Sequence, residues 1–494
     1  MATTTQTPPA APPTAAPTSA ARPAVIPRAG LVRPLGQIRY RLLAMGAVAF
    51  VLALVTLLQA IHAYSTSYDL LRGIVDQNST TVDASENALQ DIAQTSQSAA
   101  DYAVLSSSTP LYEAAQTNIF RSFANFRDEL FVLRNNLQTD EERTAFTTAD
   151  TFAYSSFWRY ISDMVANRSI DAVAQRAYLE ADNHVLNWIN PALQELESLN
   201  FQQMVDAGNA AGSIIYIQVF LLAVPALILA LLLTYMSLLV RRKVHRYFTP
   251  GIDVALALAW VVLIVMLLNL LAAPGQIQGM IQDNYRNVSA SSRVLVDANL
   301  ANRAESSEIL DTERVDEWNT RFDQAVQRVE LRLCGQPGCL SNSFAPSNSD
   351  QPTQQVVAAA QDISPQNSAQ IDGITPLMAN VTVSGMATAL EQARVAFGDF
   401  RTVDAKLRTQ ISANQIDAAV TLNTSTDPGT SQEAFNRFVT AMTNVRDMNH
   451  QAFDQSAASV SSTLQTNRVL LGLIGYVAIA VLVVVGVYHR YREL

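Results

Sequence analysis

Four long apolar runs in this chain lack any aspartate, glutamate, lysine or arginine at mid-depth, and histidine is scarce, five in 494 residues. The first shortage counts against ion or proton conduction, because a charge inside a bilayer is costly unless it is used. The second leaves His62, His184, His245, His450 and His489 scattered, with no His-Glu-x-x-His and no Cys–His pair. Also missing are Gly-x-Ser-x-Gly, a glycine loop ending in Lys-Ser or Lys-Thr, and a dinucleotide fingerprint. The carboxylate pair Glu141-Glu142 sits at a helix start, where the positive end of the helix dipole accounts for it. The expectation is a protein with no catalytic activity, no cofactor and no metal. Cysteine occurs twice, in Cys334-Gly335-Gln336-Pro337-Gly338-Cys339. Two cysteines without a second Cys/His pair do not make a four-ligand zinc site. Glycines and proline between them allow a tight turn and a local disulfide, favoured in an exported segment; two unpaired thiols in a loop are the other reading.

The apolar runs themselves are Leu42–Ala63, Ile214–Val240, Val254–Ala273 and Val469–Val487. A hydrocarbon core about 30 Å thick needs roughly 20 residues of helix, so each qualifies as a transmembrane span. Between the second and third lies a basic hinge, residues 241–253, carrying Arg241, Arg242, Lys243 and Arg246. Arg22, Arg28, Arg33, Arg39 and Arg41 precede the first span, and Arg490 and Arg492 follow the last. Arginine and lysine resist translocation. All three groups therefore place the amino terminus, the hinge and the carboxy terminus in the cytoplasm of a plasma-membrane protein, with both large polar segments outside. Residues 64–213 hold 20 acids against 8 bases, and residues 275–467 hold 21 against 13. That acidic balance excludes a nucleic-acid partner, which needs a basic surface.

Each polar segment reads as helical. In residues 64–213 four helices are expected, over about 65–107, 110–137, 140–167 and 169–213. Phe120, Phe123, Phe126, Leu130 and Leu133 form an apolar stripe on the second. Thr139 opens the third as an N-cap, Ser169 caps the fourth, and Pro191 kinks it. Residues 274–468 repeat the plan after a boundary at Ala273-Pro274-Gly275. A break is expected at Leu310-Asp311-Thr312 and an irregular insertion over about 334–375. The helix over about 384–416 turns Leu390, Val395, Phe397, Phe400, Val403 and Leu407 inward. Residues 1–36, rich in Ala, Pro and Thr, read as a disordered arm, and 488–494 as a short tail. The fold class is thus an all-α membrane protein: four transmembrane helices and two extracytoplasmic, four-helix-bundle-like domains in tandem. A faint echo, Leu199-Asn200-Phe201-Gln202 against Met448-Asn449-His450-Gln451, accompanies the duplication. Within the spans, Gln218 and Asn269 are placed to bond between helices, and Gly472 and Gly475 to let helices approach.

Arg121, Arg127 and Arg159 lie among Phe120, Tyr154, Trp158 and Tyr160. Arginine beside aromatics, with Trp158, can hold a carboxylate-bearing ligand; aromatic core with solvated arginines is the plainer reading. Each half resembles the four-helix-bundle sensory modules of bacterial chemoreceptors and histidine kinases. No HAMP linker or kinase is expected after Val487, with seven residues remaining. Two such halves in one four-span chain are similar to the GlnX-type membrane protein of actinobacteria. That resemblance implies relay from an extracytoplasmic solute-binding lipoprotein to a cytoplasmic Ser/Thr kinase or phosphatase, gripped at Arg241, Arg242, Lys243 and Arg246. The expectation is a non-enzymatic transmembrane signal relay, in contact with membrane lipid and open to homo-oligomerisation. The alternative is a scaffold or accessory subunit of an envelope complex.

Overall fold

The computed structural model describes residues 32–105, 110–167, 171–244, 250–340 and 376–493, except 380 and 382. The arm before residue 32, the Ser169 cap, Arg246 and the 341–375 excursion lie outside them. Helices α1 (Val32–Gly73) and α2 (Thr80–Val104) form one rod, joined by a wide π-type turn over Ile74–Ser79. Then come α3 (Pro110–Asn136), α4 (Asp140–Phe152), α5 (Trp158–Ala166), α6 (Asp171–His184) and α7 (Asn190–Val244). The second half holds α8 (Pro250–Gly279), α9 (Arg286–Leu310), α10 (Val315–Cys334), α11 (Met386–Ser412), α12 (Ile416–Thr424), α13 (Ser431–Asn467) and α14 (Tyr476–Glu493). Similar π-type turns join α4 to α5, α6 to α7, α8 to α9 and α13 to α14. Among the described residues there is no strand.

Four rods, Arg39–Val104, Ala172–Arg242, Pro250–Leu310 and Ser431–Arg492, are long and apolar enough to cross a membrane. At 1.5 Å per residue the longest, 71 residues, reaches roughly 105 Å, over three times a bilayer core. Their apolar ends pack as a square in which α1 neighbours α7 and α14, and α8 neighbours the same two. Large apolar side chains such as Val51, Leu58, Phe220, Leu268 and Val481 point outward from this square. An exposed apolar belt of that extent is what lipid contact requires. Glycine sets the tightest crossing: a Cβ on Gly251 would lie 2.5 Å from the Cα of Gly486. At Gly475 a Cβ would meet Val262 at 3.1 Å. Asn269 bonds the Val265 carbonyl of its own helix at 2.8 Å, not a neighbouring helix. The α8 helix also continues through Pro274, where the sequence suggested a boundary. Pro274 is buried, and a Cβ added at Gly212 of α7 would lie 3.5 Å from it; its missing N–H leaves the Leu270 carbonyl without the α-helical bond.

Beyond the square stands one polar body with two apolar cores. The first gathers Phe123, Phe126, Leu130, Leu133, Phe157 and Ile161 around α2 to α7. The second gathers Phe322, Phe397, Phe400, Phe435 and Phe438 around α9, α10, α11 and α13. Thr139 caps α4 in a full capping box, accepting from the Glu142 amide at 3.2 Å while Glu142 accepts from the Thr139 amide at 2.7 Å. Two residues leave their expected stripes. Phe120 is 47% exposed, edge-on to Trp158, and Val395 is 38% exposed, about 140° around the helix from Leu390. The π-type turn at Val185–Ile189 ends just before Pro191, whose missing N–H leaves the carbonyl one turn back without its α-helical bond.

The two polar segments do not stand apart. Helices α2 and α9 lie side by side at the centre, and α9 also packs on α10 and α13. Of the 25 residues of α9, 21 are buried, although most are Ser, Ala, Asn, Asp, Glu or Arg. A helix buried only on its apolar stripe would show about half that. Small side chains admit this close approach, and the polar ones require partners inside it.

Candidate functional site

The buried seam between α2 and α9 begins directly above the square. Tyr285, the last residue of the turn leading into α9, places its hydroxyl 2.6 Å from Asp83 Oδ1 and 2.9 Å from the Ser79 carbonyl. The other carboxylate oxygen of Asp83 lies 3.2 Å from His450 Nε2 on α13. His450 Nδ1 in turn lies 3.2 Å from Asp454. Three membrane-crossing rods therefore meet on one carboxylate. The hydrogen bond to Asp83 pushes the His450 pKa up to about 9. Burial holds the Tyr285 hydroxyl well above its ordinary range, helped by the charge of Asp83. Asn284 adds a bond to Ser456 Oγ at 3.1 Å, and Arg446 one to Gln90 at 2.9 Å.

One layer further out, Glu197 of α7 is fully buried and accepts from Arg293 Nε at 2.9 Å and Ser289 Oγ at 2.9 Å. Beside it Glu86 of α2 is buried too; desolvation, then the nearby Glu197 and Asp83 charges, lift its pKa to about 8. Asn200 donates to Ser85 Oγ at 2.7 Å. Alongside opens a cleft of about 1080 Å³ between α7 and the α9–α10 pair. Arg286, Arg293, Arg328 and Arg332 line it with Glu197 and Asp297. Asp297 holds Arg328 Nε at 2.7 Å and Arg332 Nε at 3.0 Å.

At the far end, Asp182 of α6 lies 3.0 Å from Arg303 Nε and 3.3 Å from Ser96 Oγ. The Arg303 pair is close in distance, but its N–H is not aimed at the oxygen. Tyr178 meets Ser307 at 2.8 Å, Ser306 donates to Asp101 at 2.8 Å, and Ser431 donates to Glu305 at 2.6 Å. Burial raises the carboxyl pKa of Asp91 to about 7, Asp101 to about 6, Glu308 to about 7 and Asp404 to about 6, and that of Glu305 well up.

All these shifts have one sign. A group whose folded pKa is raised stabilises fully below its unfolded pKa and loses that contribution as pH climbs through the folded value. The carboxyls give this window from about pH 4 to 8, and His450 extends it from 6.5 to about 9. The purified protein should therefore melt at a progressively lower temperature between pH 5 and 9, followed by intrinsic fluorescence. Glu86→Gln should flatten the profile below pH 8, and His450→Gln the limb above it. A melting temperature that rises across this range would contradict the burial of these groups.

The residues singled out from sequence lie elsewhere. Arg121 is exposed and bonds Asn118 at 2.9 Å, and exposed Arg127 reaches Asp128 at 3.4 Å. Arg159 sits over the Tyr160 ring at 4.9 Å, and Trp158 stacks on Phe123 at 4.1 Å. None of the four lines the cleft. At the opposite end of the molecule, Arg241 pairs with Asp253 at 3.3 Å, tying α7 to α8, and Arg242 is exposed. The side chains of Lys243 and Arg246 lie outside the described positions. Cys334 and Cys339 are joined by a disulfide with Cα atoms 6.4 Å apart, closing a turn in which Gly335 and Gly338 have φ of 84° and 77°.

A sequence signal for the seam does exist. Asn78, Val82, Ala84, Ser85, Leu89 and Asp91 recur 206 positions later as Asn284, Val288, Ala290, Ser291, Leu295 and Asp297. The same offset relates the turns Ile74–Ser79 and Met280–Tyr285 and the two 25-residue helices after them. No family model, curated protein or solved structure matches this chain.

Proposed function

We propose that the protein is a non-enzymatic transmembrane signal relay: the seam reads an extracytoplasmic input, and the four rods carry it to a separate cytoplasmic partner. The observation carrying this reading is mechanical. The rods that share Asp83 and Glu197 run on as helix through the apolar square, and the first and third carry a wide turn at the junction. An input that re-pairs these buried groups changes how the rods sit against one another, and a two-state rearrangement of that kind is what a relay needs. The 206-residue register supports reading the two halves as a tandem repeat; the arginines gathered at the termini and hinge support placing that repeat outside, with Arg241, Arg242, Lys243 and Arg246 as the contact for a cytoplasmic kinase or phosphatase.

The test is a deletion strain complemented by the wild-type chain or by Arg241→Gln/Arg242→Gln/Arg246→Gln, with insertion checked by protease accessibility of intact cells. The relay reading expects altered cytoplasmic Ser/Thr phosphorylation in the deletion, restored by wild type and not by the variant. Unchanged phosphorylation in the deletion, with envelope complexes lost on native gels, would establish the scaffold alternative instead. Protease that cuts the hinge and spares the polar body would invert the topology.

A further inference from the structure

Next to the long cleft lies a second, smaller cavity of about 300 Å³, walled by α9, α10 and the π-type turn between α6 and α7. Its cationic lining is Arg303, Arg321 and Arg328, and no aspartate or glutamate lines it. The compensating acids are not part of the lining: Asp182 lies 3.0 Å from Arg303 and 3.5 Å from Arg321, Glu317 also accepts from Arg321, and Asp297 lies 2.7 Å from Arg328. Trp318 completes the lining. It is 2% exposed, the guanidinium of Arg321 lies 4.5 Å from its ring centroid, and its indole Nε1 has no hydrogen-bond partner. A buried N–H without an acceptor is costly, and Trp318 Nε1 is such a donor on a residue of the cavity lining. Leu186 from the first half and Leu300 from the second supply an apolar wall.

We infer that this cavity binds a small organic carboxylate, which accepts from Trp318 Nε1 and pairs with Arg321 while its short apolar body rests on Leu186 and Leu300. The inference rests on the relay reading and gives it an input. A lining of three arginines with no carboxylate among it favours a negative charge, the guanidinium fork suits a carboxylate, and the leucines favour an organic anion over phosphate. Because the walls come from both halves of the chain, an occupant draws the seam together.

Calorimetric titration of the full chain in nanodiscs with succinate, L-glutamate and inorganic phosphate, at matched ionic strength, tests it. At least one carboxylate should bind saturably and raise the melting temperature, and phosphate should not. Trp318→Phe keeps the ring and removes one charge-assisted bond, so it should weaken binding about tenfold or more. Arg321→Gln should weaken it at least as much. Arg314→Gln, 5.7 Å over the same ring but outside the cavity, should leave it unchanged. No saturable carboxylate binding, phosphate binding as tightly, or equal affinity in the Trp318 and Arg321 variants would overturn the site. Binding without any effect on cytoplasmic phosphorylation would keep the site and remove the relay. Phosphorylation that responds while no carboxylate binds would do the reverse.

Discussion

Asp182→Ala is expected to cost about 3–5 kcal/mol, the range for removing one partner of a buried ion pair. The side chains of Asp182 and Arg303 are 2% and 4% exposed, so the cation left behind cannot recover its hydration. Arg321 loses a second anchor at 3.5 Å, and Ser96 its acceptor. The loss falls on the contact between α6 in the first half and α9 in the second. The two apolar cores should then separate in denaturant as two transitions where the parent shows one. Replacing both partners together, Asp182→Leu with Arg303→Leu, should recover most of the stability, since a well-packed apolar pair of similar volume is often neutral in such positions. A cost below about 1 kcal/mol for Asp182→Ala would mean that water reaches the pair.

Gly486→Val should have the other large effect, at the opposite end of the molecule. A Cβ there would lie 2.9 Å from the Ile252 amide nitrogen and 3.0 Å from the Gly251 carbonyl carbon. Both neighbours are backbone and cannot rotate away, so α8 and α14 must part. Overpacking of this kind costs about 1–3 kcal/mol, and it should appear as a lower yield of folded, monodisperse protein. Gly73→Ala is the matched control. A Cβ at Gly73 meets nothing within 4 Å, and alanine in a helix interior is favoured over glycine by roughly 0.5–1 kcal/mol. Equal behaviour of the two variants would refute the close crossing.

Local chemistry made much of the fold legible in advance. The stripe of Phe123, Phe126, Leu130 and Leu133 announced α3, and Thr139 with Glu142 fixed where α4 begins. The break at Asp311 follows from an equally short-range signal. Pro274 misled, because the helix continues through it with the loss of one backbone bond, the one to the Leu270 carbonyl. The seam was hidden for a different reason. Hydropathy reads Asp83, Glu86, Asn200 and Ser289 as solvent-facing, since their partners are contributed by segments far away in the chain. Arg121, Arg127 and Arg159 drew notice through aromatic neighbours, yet Trp158 stacks on the core residue Phe123, Phe120 and Tyr154 stay exposed, and the arginines turn out without closing on a shared pocket. What burial demanded was a count of polar residues too numerous for one exposed face, repeated at a fixed offset.

The wide turns at Ile74–Ser79 and Met280–Tyr285 set a phase. Each holds a residue more than an α turn would, and one residue is worth about 100° of azimuth along a helix. The face a rod shows to lipid is thereby decoupled from the face it shows to the seam, so the hydrophobic periodicities below and above the turn need not agree. Drift in one stretch of such a rod leaves the other in register, and a single twist at the junction re-indexes both at once.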